Sequence, residues 1–127
     1  MTTKHKLSEV VAISPAATWV PVALYRQFVA MATLEAADSG EGISIQLRKA
    51  TSSAGANAAD HGTAVTASST ASNTDLAAMA AAYAADLGET AGGVAYTHVS
   101  ATVTATGSPT PTEELSAIMV RTDARFS

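Results

Sequence analysis

The stretch Gly42-Ile43-Ser44-Ile45-Gln46-Leu47-Arg48-Lys49 constrains this chain most, because apolar Ile43, Ile45 and Leu47 alternate with polar Ser44, Gln46 and Arg48. Successive side chains of a strand point to opposite faces, so a period of two describes a strand with one face buried and one in water. Other runs offer it partners. Residues 19–25 alternate Val20, Val22 and Leu24 with Trp19, Pro21, Ala23 and Tyr25; proline has no N–H to give to a ladder, which assigns this run to a sheet edge. Residues 28–34 repeat the pattern after a polar break at Arg26 and Gln27. Residues 95–105 set Thr97, Val99, Ala101 and Val103 on one face and Tyr96, His98, Ser100, Thr102 and Thr104 on the other. Residues 115–120 are apolar on both faces, as a central strand would be.

Between these runs lie turn and loop signals. Asp38-Ser39-Gly40-Glu41-Gly42 has the glycine and Asp/Ser content of a turn, which predicts a hairpin between 28–36 and 43–49. Residues 50–62 are small and polar and read as a long surface loop, 63–67 as a short returning strand, and Gly107-Ser108-Pro109-Thr110-Pro111-Thr112 as a stiff exposed link. Segment 74–88 is two-sided. Leu76, Met79, Ala80, Tyr83 and Leu87 recur at helical spacing, Asn73 or Thr74 can cap the start and Gly88 the end, which favours a helix. A strand followed by a helical turn is the alternative, since alanine's helix propensity yields to tertiary context. Residues 1–17, with Pro15 blocking helix continuation, read as an extended N-terminal arm, and 18–127 as a single domain. The expected fold is mainly β, an antiparallel β-sandwich or jelly-roll with at most one short helix around 74–88.

Composition bears on how such a fold holds together. Hydrophobic residues make up 47% of the chain, but much of that is alanine, with two Phe, three Tyr and one Trp as larger anchors. A core of small side chains offsets little conformational entropy, so contacts between chains, in a homodimer or homotrimer, are expected to add stability. The candidate interface residues are Val10, Val11, Ile13, Trp19, Tyr25, Arg121, Arg125 and Phe126. A formal charge of −4, with no basic run beyond Lys4-His5-Lys6, disfavours direct nucleic-acid binding. Zero cysteines exclude disulfides, thiol catalysis and thiolate zinc sites. No run approaches about 18 apolar residues, so no membrane span is expected. The N-terminus lacks a signal peptide's apolar centre, which points to synthesis in a cytoplasm.

No set of residues carries chemistry. His5, His61 and His98 are the imidazoles; Asp60-His61 with Ser52 and Ser53 has hydrolase residue types but no Gly-x-Ser-x-Gly elbow. There is no His-x-x-x-His or Glu-x-x-His pair, and Asp38 and Glu41 lack the alternating oxygen ligands of a calcium loop. No catalytic, cofactor-binding or metal site is therefore expected.

Three pieces, in order, carry a resemblance: Ile45-Gln46-Leu47-Arg48-Lys49-Ala50-Thr51-Ser52-Ser53-Ala54-Gly55-Ala56-Asn57, then Val94-Ala95-Tyr96-Thr97-His98-Val99-Ser100-Ala101-Thr102-Val103-Thr104, then Val120-Arg121-Thr122-Asp123-Ala124-Arg125-Phe126. They resemble small virion proteins of tailed bacteriophages, which are similarly short, cysteine-free and alanine-rich. The resemblance covers roughly the last two-thirds of the chain and implies a head cement or decoration protein of sandwich or jelly-roll fold. Its partner would be the major capsid protein and its location the head surface of the virion. It also implies a strand before Asp86-Leu87-Gly88, against the helical spacing there, and brings no catalytic residues. A neck or tail accessory protein is the alternative within that class. From another class, a bacterial surface- or carbohydrate-binding module fits the strand pattern, though its aromatic platform is poorly supplied.

Overall fold

Ile43, Ile45 and Leu47 are buried along one strand, β4 (Gly42–Ala50), in the computed structural model, which describes residues 8–12, 19–23, 25–108 and 115–124. The other strands are β1 (Ser8–Ala12), β2 (Val20–Pro21), β3 (Tyr25–Ala37), β5 (Ala59–Asp60), β6 (Val65–Ser68), β7 (Thr74–Tyr83), β8 (His98–Thr106) and β9 (Leu115–Ala124). The chain is mainly β, and every pairing is antiparallel. One sheet runs β1-β9-β3-β7. The second runs β2-β8-β4, with β5 and β6 sharing the remaining edge of β4, against residues 48–49 and 42–45 respectively. Such an arrangement is consistent with a sandwich.

One core lies between the sheets. Phe28, Ala30, Ala32 and Leu34 of β3 and Ala78, Ala80 and Ala82 of β7 meet Ile43, Ile45 and Leu47 of β4 and Val99 and Ala101 of β8. The division of sizes is physical: Ala30 faces Ala80 and Ala32 faces Ala78 across the first sheet, so two strands of methyl groups leave the space that branched aliphatics of the second sheet fill. Interiors pack at crystal-like density, and pairing small with large across a layer is one way to reach it.

Segment 74–83 is a strand rather than a helix, followed by a single 3-10 turn at Ala84–Asp86. Burial alternates along it, with Ala78, Ala80 and Ala82 inside and Ala77, Met79, Ala81 and Tyr83 outside. The pairing with β3 supplies partners for its backbone that outweigh alanine's preference for helix.

The predicted hairpin between 28–36 and 43–49 does not form. β3 and β4 lie in different sheets and stack face to face, because both edges of β3 are taken by β7 and β9, and those of β4 by β8 and the β5/β6 pair. The turn at 38–41 is thus an arch from one sheet to the other. It opens with Ala36 at positive φ and a register shift between Leu34 and Ala37. A second arch, at 69–73, lies against it: Gly40 N donates to Ser69 O at 2.9 Å, Ser69 N to Glu41 O at 2.8 Å, and Ala36 N to the Asp75 carboxylate at 3.0 Å. Glu41, itself buried, accepts from Asp38 N at 2.6 Å.

Other expectations fare variously. β3 runs unbroken from Tyr25 to Ala37, through the expected break at Arg26 and Gln27. β2 lies at an edge but holds only Val20–Pro21 of the expected 19–25 run, Tyr25 belonging to β3; β8 starts at His98 rather than at 95 and carries Val99 and Ala101 inward; β9 lies inside its sheet between β1 and β3. Within the expected arm, Ser8–Ala12 pairs with β9 as an edge strand, Val10 opposite Val120. Among the described residues no helix is long and apolar enough to cross a membrane.

Candidate functional site: the open face of the first sheet

The two sheets differ in what they turn outward. On β7, Met79 is 58% and Tyr83 53% exposed, with Ala77 and Ala81 exposed between and beside them. Residues opposite one another in an antiparallel pair share a face, so the register Val29↔Ala81 and Met31↔Met79 continues this surface onto β3, where Val29 and Met31 are half-buried. β9 aligns Val120 with Val29 and Ile118 with Met31. Where β3 and β7 adjoin, the outward face is therefore apolar from Val29 and Met31 to Met79 and Ala81.

The second sheet turns polar residues outward and covers part of them. Ser44, Gln46, Thr102 and Thr104 lie on that side. Gln46 Nε2 lies 2.8 Å from Leu47 O, 3.2 Å from His61 O and 3.1 Å from Gly62 O, which ties the end of the loop back to β4. Arg48 Nε sits 3.1 Å from Asp60 Oδ1, close enough for an ion pair but out of line for a hydrogen bond. Ser100, opposite Arg48 in the register, is buried and its hydroxyl has no hydrogen-bond partner among the described residues. Trp19 is half-buried beneath the 52–55 turn: a Cβ built on Gly55 would stand 2.5 Å from its indole nitrogen.

The catalytic residue types do not assemble. Ser52 Oγ accepts from the backbone of Ala54 and Ala56, fixing the turn, and Asp60 faces Arg48 rather than His61. Burial, then the positive charge of Lys49, holds the His61 imidazole below its ordinary 6.5, with Asp86 pulling the other way. Lys49 itself donates to Leu87 O at 2.9 Å and lies 4.7 Å over the Tyr96 ring, closing one end of the core. Among the described residues no group of three or more His, Asp or Glu lies close enough to hold a metal.

Of the predicted interface residues, Val10 and Val11 lie on β1 and Arg121 on β9, in register with Glu9 on one side and Phe28 on the other. Tyr25 opens β3 opposite Ala124. Trp19 is half-buried against the 52–55 turn. Ile13, Arg125 and Phe126 lie outside the described residues. The apolar face was missed because Val29, Met31, Met79 and Tyr83 are brought together only by the β3–β7 register. No protein-family model, curated protein or solved structure matches the chain.

Proposed function

We propose that this chain is a virion structural protein of a tailed bacteriophage, a cement or decoration subunit that binds the outside of the head and bridges neighbouring shell proteins. The observation that carries this reading is the apolar outward face of the first sheet. Contiguous apolar surface on a small protein gains free energy when covered, and a sheet face without a concave pocket suits adhesion to another protein rather than capture of a small molecule.

Two further points support it. Consecutive long strands change sheet at each connection, as in a jelly-roll, an architecture found in viral capsid and lectin domains. The stretches 45–57, 94–104 and 120–126 resemble phage virion proteins. A lectin-like role is less well supplied, since Trp19 is folded against Gly55 instead of forming an exposed platform.

The test is mass-spectrometric stoichiometry and antibody labelling of phage particles from the source culture. The expected result is label over the whole head, with copies in proportion to shell subunits. Label confined to one vertex would indicate a neck or tail protein, and absence from particles would overturn the reading.

A further inference from the structure

We infer that β7 pairs with β7 of a second copy of this chain, antiparallel across a two-fold axis at Met79, joining the first sheets of the two copies into one. β7 ends the sheet order and pairs, among the described residues, only with β3. Alternate N–H and C=O groups along an edge strand point away from the sheet, and natural edges are guarded by lysine, proline, bulges or shortness. β7 has none of these guards over Leu76–Tyr83: ten residues long in all, it carries no Lys, no Pro and a regular register with β3 from Leu76 to Tyr83. Unpartnered main-chain groups call for another strand rather than a helix or a small ligand.

The strand is also complementary to itself. In the two-fold register centred on Met79, Ala77 opposes Ala81, Met79 opposes Met79, and Asp75 opposes Tyr83 at both ends, all on the outward face, where Asp75 and Tyr83 are exposed. The tyrosine hydroxyl of one copy can donate to the carboxylate of the other, because Asp75 engages Ala36 N through Oδ1 and keeps Oδ2. Moving the centre to Ala78 or Ala80 sets Asp75 against Ala81 or Ala85 and loses both pairs. β6, at the adjacent edge of the second sheet, exposes Val65 and adds apolar area to the same contact.

The inference does not rest on head binding, since it concerns the isolated protein. Sedimentation of the full chain should give a dimer, and hydrogen exchange should protect consecutive amides along β7, with every second one losing protection on dilution. Met79→Lys, at an exposed position, places two like charges at the axis; it should give a monomer with unchanged circular dichroism and protection only at alternate β7 amides. A wild-type monomer or trimer, a dimer whose β7 protection is alternate, or protection that dilution does not change would overturn the proposal. If Met79→Lys fails to fold, the dilution experiment on the wild type decides alone.

Discussion

Gln46 shows how far a residue's position in a pattern predicts its weight. The period of two places it outward, which is correct, yet its amide nitrogen lies near three carbonyl oxygens on β4 and the returning loop. All three partners are acceptors, so the nitrogen must be the atom that faces them. Gln46→Ala is expected to cost about 1–2 kcal/mol by freeing carbonyls that the amide now satisfies. Ile45→Ala, which empties a fully buried site, should cost about 2–5 kcal/mol. Denaturant midpoints of the two variants measure both, and the order Ile45 above Gln46 is the expected result. Gly55 is the second informative residue. Its φ of +83° favours glycine, and an added Cβ would press on Trp19. Gly55→Ala should lower stability by about 1–3 kcal/mol. Because Trp19 is the single tryptophan, its emission should shift toward that of a more solvated indole, and unchanged emission would contradict the contact.

At the scale of elements, β7 explains both what could be read and what could not. Hydropathy alternation marks a strand only when its two faces differ, and here Ala77, Ala78, Ala80, Ala81 and Ala82 supply both faces with the same side chain. Burial separates them, with Ala80 inside and Ala81 outside, but no local feature of the sequence does. Ala80→Leu should overpack the layer against β4 and cost about 1–3 kcal/mol, whereas Ala81→Leu should stay within about 0.5 kcal/mol. Similar thermal melts for the two would show that the alternation is wrong. The arch at 38–41 was hidden for a related reason. Turn residues at Asp38–Gly42 announce a reversal, but do not say whether the joined strands will pair by their edges or stack by their faces. Both β3 and β4 carry an apolar face turned to the core, as either outcome requires. β4, where large aliphatics alternate with Ser and Gln, was legible throughout, β8 from His98 onward, and Pro21 at an edge.

Over the whole molecule, the candidate site was the least legible part. The expected anchors were the large residues, and of these Trp19 packs against the 52–55 turn. The apolar face draws on β3 and β7, separated by the entire second-sheet excursion of β4 to β6, so it exists only once the sheet order is known. That order has a consequence for how the protein is made. β9, the last of the described strands in sequence, is inserted between β1, the first of them, and β3. A nascent chain emerging from the ribosome can form the stacked arches and the β4–β8 pairing, but among the described residues Ser8–Ala12 finds its strand partner only when residues 118–122 are available. Closure of such distant contacts is slow, typically milliseconds to seconds for all-β domains, and during that interval an edge of β3 stands open beside apolar surface. A chain ending at residue 114 is expected to remain without protected β1 and β3 amides and to aggregate, while addition of a peptide spanning 115–124 should restore protection to both strands. Completion of this sheet therefore waits for the residues of β9, and chaperone capture should be strongest just before they emerge.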